Sequence, residues 1–294
     1  MFNKINLLEL FCLIDDFCIA FEGEWRKHLV GRGLPACSME MSEILTILVL
    51  FQFSKCRCFK YFYKMLSLLH KRDFPRLLSY NRFVEIKKTY LVPLICFMKF
   101  QMFDCTGTSY IDATPLRVCH NKRIKQNKVF KKIANIGKST MGWFYGFKLH
   151  LVVNQNGEPI DVAISKGNRD DRKLVKQLCK RVQGKLFADK GYISQELFEE
   201  MLERGIKIVT QLKKNMKPKL MENNELILLK KRSVIESVFH IMKDILHIDH
   251  TRHRSPLNFL INFFAAIAAY CLYPGKPKIK LPNFLAGRPS LKAA

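Results

Sequence analysis

Apolar residues recur with helical spacing near the start of the chain. Leu7, Leu8, Phe11 and Ile14 begin a 3.6-residue pattern that runs toward Trp25, and Gly31, Gly33 and Pro35 interrupt it. Ser42 then reads as the N-cap of a helix over Glu43–Phe53, with an acid in the first turn where the helix dipole favours it. Ser54–Cys58 connects to an aromatic-rich helix, Phe59–His70. Pro75 marks another start, and Tyr80–Lys88 another helix. Residues 1–105 therefore read as an all-helical domain. Its basic faces allow either plain packing or a DNA reader of the helix-turn-helix kind.

From Thr108 the period changes. Thr108–Thr114 is a short apolar strand holding Asp112. Trp143–Val153 alternates, Asn154–Gly157 carries a hairpin signal, and Glu158–Ser165 returns as the partner strand. Asp170 and Asp171 suit the cap of a helix over Arg172–Val182. Lys185–Ala188 is a strand that ends in Asp189. Ser194–Arg204 is a helix stopped by Gly205, and Ile206–Leu212 is a strand. Lys230–His247 is an amphipathic helix, and Leu257–Leu272 is the last one. Antiparallel strands followed by crossovers predict an α/β fold with a mixed sheet and helices on its faces, over 106–273. The remainder, 274–294, is a basic, proline-rich tail.

Charge narrows the function. Fifty Lys and Arg against 25 Asp and Glu give a formal charge of +25, which argues against an ordinary metabolic enzyme and for a polyanionic partner. Leu257–Tyr273 is apolar for 17 residues, at the short edge of a membrane span, but Asn258 and Asn262 and its small residues suit a core helix better. The ten cysteines form no paired CxxC motif, and no cleavable signal precedes them, which reads as a reducing cytoplasm. No glycine-rich phosphate loop occurs, so no nucleotide cofactor is expected.

Three acids stand where chemistry could use them. Asp112 lies inside an apolar strand, Asp189 at a strand end, and Glu236 in a helix. Buried carboxylates are costly unless compensated, and hard Mg²⁺ wants such oxygen ligands. Two such ions can drive in-line displacement at a phosphodiester. Each acid also has a plain reading. Asp112 could cap a turn, Asp189 could open the turn at Lys190-Gly191, and Ser233-x-x-Glu236 matches a capping box. On an unbroken helix Arg232 and Lys243 would flank Glu236 on one face, suited to phosphate.

The arrangement resembles the DDE triad of insertion-sequence transposases. Tyr110-Ile111-Asp112 is similar to the first-acid strand, and Ala188-Asp189-Lys190-Gly191-Tyr192 to the DKGY element of the second. Arg232-x3-Glu236-x6-Lys243 resembles the third-acid signature, although Leu229 stands where its extension has Tyr. His250–Pro256 and the length resemble the group called IS family 982. The likeness is looser over 1–105, where Ser79–Phe83 carries it. It implies a ribonuclease H-like catalytic domain and two Mg²⁺ (or Mn²⁺) held by Asp112, Asp189 and Glu236. It also implies phosphate contacts from Lys190, Arg232 and Lys243, cleavage at element ends and strand transfer into target DNA. The expected partners are terminal repeats and target DNA, bound by a homodimer in the cytoplasm, on the nucleoid, without a membrane.

Residues 113–157 contain nine Lys or Arg and no acid. Lys122, Arg123, Lys125, Lys128, Lys131 and Lys132 crowd the loop after Asp112, which reads as a DNA-tracking arm ordered on DNA, or else as a solvated insert. Lys213, Lys214, Lys217, Lys219, Lys230 and Lys231 form a second such stretch just before the Glu236 helix. His247, His250, His253 and Asp249 could contact DNA together with Arg252 and Arg254; a zinc site there is conceivable. Three rivals stay open: a nuclease that cuts without joining, an inactive DNA-binding protein, and a membrane-surface protein.

Overall fold

The computed structural model describes residues 6–28, 37–212, 221–249 and 253–279. Five helices come first: α1 (Leu7–His28), α2 (Met41–Phe53), α3 (Phe59–Leu69), α4 (Tyr80–Ile86) and α5 (Leu91–Phe100). The strands β1 (Thr108–Cys119), β2 (Asn135–Ser139), β3 (Gly142–Asn154) and β4 (Pro159–Lys166) follow. Next come α6 (Val175–Leu178), β5 (Gly184–Ala188), α7 (Gln195–Glu203) and β6 (Ile206–Thr210). The chain continues with α8 (Asn223–Lys230), α9 (Ser233–His240), a π-helical turn at Ile241–Ile245, and α10 (Pro256–Leu272).

Several helix boundaries differ from the local pattern. α2 starts before Ser42, because Glu43 Oε2 reaches back to the Glu40 amide at 2.8 Å and Ser42 is buried. No helix starts at Pro75; Ser79 caps α4 through the Arg82 amide. The helix after Asp170 is short, a 3₁₀ turn at Asp171–Leu174 running into α6.

The six strands form one mixed sheet, ordered β2-β3-β1-β5-β6, with β4 also on β3. β1 and β3 are antiparallel, while β5 runs parallel to both β1 and β6. β2 pairs with Gly142–Gly146 of β3 and β4 with Phe147–Val153, so the two share one edge in succession. Gly146 sits at that handover. Its φ is +155°, and a Cβ there would stand 2.0 Å from the Leu116 carbonyl oxygen, so only glycine fits beside the β1 bulge at Arg117.

Each face of the sheet has its own core. Ile111, Val152, Leu186 and Ile208 pack with α6 and α7 on one side. On the other, Tyr110, Leu149, Leu151 and Phe187 belong to a larger core that includes the N-terminal helices, α9 and α10. The change of texture near residue 105 is thus no break in the packing.

α10 is the spine of that larger core. Its Ala265, Ala266, Ala268 and Ala269 are at most 1% exposed and let α2 and α5 approach closely. Its Asn262 Oδ1 accepts from Gln52 Nε2 at 3.1 Å, and Tyr270 donates to the Gly157 carbonyl at 2.8 Å. Lys276 donates to the Cys271 and Tyr273 carbonyls, where a cation suits the helix end. Among the described residues no helix is long and apolar enough to cross a membrane. Ala266→Leu should cost about 1–3 kcal/mol by overpacking, read as a lower thermal midpoint. An unchanged midpoint would show that the helices have room to part.

Candidate functional site

β1 and β5 pair in parallel with Thr108 opposite Lys185, Ser109 opposite Leu186, and Tyr110 opposite Phe187. Asp112 and Asp189 each follow two residues beyond the last of these pairs, Asp189 just past the end of β5. Side chains two apart on a strand share a face. The Tyr110 and Phe187 rings stack, with centroids 5.3 Å apart; the pairing ends there, and the Asp189 carboxylate, just beyond β5, lies near enough for its charge to raise the Asp112 pKa. Asp112 is half-buried and Asp189, just past its strand, is exposed.

Alternate residues of β1 hold the third acid's segment against the sheet. The Tyr110 hydroxyl donates to the Leu228 carbonyl of α8 at 3.2 Å. Asp112 Oδ2 accepts from Arg232 Nη1 at 3.0 Å, while Arg232 Nη2 donates to Glu236 Oε1 at 3.0 Å. Lys243 Nζ donates to Thr114 Oγ1 at 2.7 Å and to the Pro115 carbonyl at 2.9 Å. Burial lowers the Lys243 pKa.

The segment is not the unbroken amphipathic helix expected over 230–247. α8 ends at Lys230, and the Arg232 amide bonds to the Leu229 carbonyl before α9 begins. The turn at Ile241–Ile245 then closes with the Leu246 amide on the Ile241 carbonyl, an i→i+5 bond. His247 ends it at φ +52°. These breaks replace the ideal 100° spacing assumed between Arg232, Glu236 and Lys243. The capping box does not form either. Arg232 occupies the N-cap position of α9, and Glu236 faces the guanidinium instead of a helix-end amide.

The carboxylates do not converge as three. Among the described residues no group of three His, Cys, Asp or Glu could hold a metal ion. Like charges repel without a cation between them, and here the Arg232 fork separates Asp112 from Glu236. Burial raises the Asp112 pKa from 3.8 to about 6 against the pull of the Ala113 amide and Arg232, and Asp189 adds to the rise. Burial thus outweighs the Arg232 ion pair at Asp112. The acids nearest it, Asp189 by its charge and Glu236 through Arg232, carry carboxylate oxygens, the ligand type that fits a hard divalent ion once the guanidinium moves aside.

Behind β1, on the other face, lies a polar cluster that sequence reasoning missed. His150, opposite Ala113 on β3, is fully buried; its Nε2 lies 2.7 Å from Ser165 Oγ and its Nδ1 3.9 Å from Asp171. Lys148 Nζ donates to Asp171 Oδ1 at 2.8 Å. Tyr192, closing the 3₁₀ turn after Asp189, buries a hydroxyl that has no partner among the described residues. Its place in the DKGY element was the available signal; His150 gave none beyond its position in a strand.

Burial drives the His150 pKa down from 6.5 to about 4. The folded chain then holds fewer protons than the unfolded one between those values, so this stability is complete above pH 6.5 and is lost as the pH falls toward 4. His150 should contribute a slope of up to about 1.4 kcal/mol per pH unit there, opposed below about pH 6 by Asp112, whose raised pKa acts in the other direction. His150→Gln should remove that slope, and an identical acid limb in the variant would refute the assignment.

The basic loop is folded in this structure, contrary to the expectation of an arm ordered on DNA. A 3₁₀ turn at Asn121–Arg123 and the strand β2 lie within it. Phe130, 1% exposed, anchors it edge-on against Phe147 and Phe259. Lys122, Arg123, Lys125, Lys128, Lys131 and Lys132 are all exposed around that anchor, as is Lys190 beside Asp189. Arg254 is exposed before α10. Arg252, His250, Lys213, Lys214, Lys217 and Lys219 lie outside the described residues.

The family described as the transposase DDE domain matches residues 102–256. No curated protein matches the chain. Among solved structures, a piggyBac transposase synaptic complex with hairpin DNA, determined by cryo-EM, is similar at 13% identity with a TM-score of 0.45. The likeness covers 92% of this chain and 75% of that one.

Proposed function

The chain belongs to the transposase DDE domain family, and from that premise we propose that it is the transposase of an insertion sequence. It would cut DNA at the element's ends and join the freed 3′-hydroxyl to target DNA. One observation supports this most: Arg232 bridges Asp112 and Glu236, and Asp189 stands near enough for its charge to raise the Asp112 pKa. In this reading β1–β6 form a ribonuclease H-like domain over 106–273, and 1–105 is a helical DNA-binding domain. His250–Pro256 supports placement in the group called IS family 982.

Asp112, Asp189 and Glu236 would hold two Mg²⁺, or Mn²⁺. Bound there, such ions supply the Lewis acidity that activates a water or hydroxyl and steadies the leaving oxygen. Arg232 holds the carboxylates apart without that charge and, displaced, is free to grip a phosphate with its fork. Lys190 reaches phosphate from the turn after Asp189. Lys243 has three donors and spends two on β1, leaving one for DNA. A homodimer that pairs two ends, working on the nucleoid in the cytoplasm, completes the reading.

The test is a plasmid carrying the sequences that flank the chain's own gene, incubated with Mg²⁺ and a target DNA. Cleavage with joining supports a transposase, cleavage without joining supports a nuclease, and neither reaction supports an inactive DNA-binding protein. The arm has its own test. Replacing Lys128, Lys131 and Lys132 with Ala should weaken binding to all sequences and flatten the salt dependence by up to about 0.9 log units per lost contact. An unchanged slope removes these residues from the DNA interface, and Arg252 and Arg254 can be tested in the same way.

A further inference from the structure

Away from the acids, a cavity of about 480 Å³ opens between α2, α3, α4 and α10, a volume in the range of small-ligand sites. Leu48, Phe51, Ile261 and Ala265 give it an apolar wall, and no acid lines it. Lys60 and Arg254 line it from exposed positions. Lys87, from the 3₁₀ turn after α4, is by contrast only 8% exposed. Among the described residues its ammonium has neither a carboxylate nor a hydrogen bond, only the Phe59 ring, whose centroid is 4.3 Å away. Unlike Asn258 Oδ1 and Asn262 Nδ2 in the same wall, which are closed off, Lys87 Nζ keeps an opening to the cavity.

An ammonium so placed has lost its water, and one aromatic face compensates only a fraction. Burial, and after it the charge of Lys88, pull the Lys87 pKa down to about 8. About one-tenth of the amine is then neutral at pH 7, against fewer than about one in a thousand for an ordinary lysine. The other ionisable groups of the lining are Cys58, Lys60, Tyr80, His253 and Arg254, none of them a carboxylate that would restore the charge. Desolvated lysine amines are the nucleophilic ones. We propose that Lys87 is an acylation site, which takes the acyl group of a small acyl phosphate drawn into this cavity. The phosphate rests on Lys60 and Arg254, the acyl chain lies on the apolar wall, and the carbonyl carbon meets Nζ. The Nζ lone pair forms the amide bond and the C–O bond to phosphate breaks. Phosphate leaves with that electron pair and takes up the amine proton. A neutral side chain then stands where a buried charge stood. The site is independent of the transposase reading.

The experiment incubates the full wild-type chain with acetyl phosphate and follows each lysine by peptide mass spectrometry. Lys87 should be acetylated at least about tenfold faster than Lys71, which is exposed and outside the cavity. Its rate should rise with pH and level off above about pH 8, whereas an ordinary exposed lysine keeps gaining toward pH 10. Arg254→Gln, at an exposed position, tests the phosphate seat. It should slow acetylation of Lys87 by acetyl phosphate about twofold to fivefold. Acetylation of Lys87 by p-nitrophenyl acetate, an uncharged donor, should be unchanged in that variant. Lys87 left unmodified, or acetylated no faster than Lys71, would overturn the acylation site. A Lys87 rate still climbing at pH 10 would overturn it as well, because the amine would then be an ordinary one. Equal slowing of both donors by Arg254→Gln, or none of either, would overturn the choice of an acyl phosphate.

Discussion

Asp189→Asn is expected to lower DNA cleavage by about a thousandfold or more, the scale of several kcal/mol of lost metal-assisted stabilisation. DNA binding should hold or tighten, because the change removes a negative charge near phosphate. Asp112→Asn should do the same, and the double variant should be little worse than either, if the two carboxylates hold the same metal ions as proposed. The fold should tolerate both changes: Asp189 is exposed, and Asp112→Asn relieves a carboxylate whose burial already opposes its charge. Glu196→Gln, on the exposed first turn of α7, is the control and should cut normally. Near-normal Mg²⁺-dependent nicking by Asp189→Asn would remove Asp189 from the chemistry.

The second large effect concerns packing. Phe130→Ala should destabilise the fold by about 3–5 kcal/mol, the cost of emptying a well-filled aromatic site. Phe130 is the buried contact between the basic loop and both β3 and α10, through Phe147 and Phe259. Losing it should also free the loop, so trypsin should cut near Lys128–Lys132 at temperatures where wild type resists. DNA affinity should fall although no charge has changed. A thermal midpoint within error of wild type would show that the loop is held by β2 alone.

The strands that lead to Asp112 and Asp189 were legible as compact apolar runs, although β1 continues past the expected end at Thr114 to Cys119. The parallel pairing of β1 with β5 was not, since strands far apart in sequence carry no local mark of register. Asn135–Ser139 escaped notice because it lacks alternation and contains Gly137 and Lys138. Its pairing depends on close approach to Gly167, whose carbonyl oxygen would lie 2.1 Å from any Cβ at 137. The apolar periodicity of 230–247 was real, but its breaks hold neither Pro nor Gly. They coincide with the ties to Tyr110, Asp112 and Thr114, which are tertiary. Ser233 and Glu236 satisfied a capping pattern that Arg232 overrode. The aromatic and aliphatic residues of 1–105 foretold helices, not that these would share a core with α10.

That shared core governs how the molecule must be made. Gln52 and Asn262, which meet across it, are 210 positions apart. At the pace of synthesis, roughly 5–20 residues per second, α2 leaves the ribosome about 10–40 s before its partner exists. Eleven of its thirteen residues are buried in the finished protein, so for that interval an almost wholly apolar helix needs temporary cover. The nascent chain is accordingly expected to engage a chaperone early. A truncation anywhere before α10 should yield an insoluble fragment, which makes an internal stop codon a complete loss of the protein.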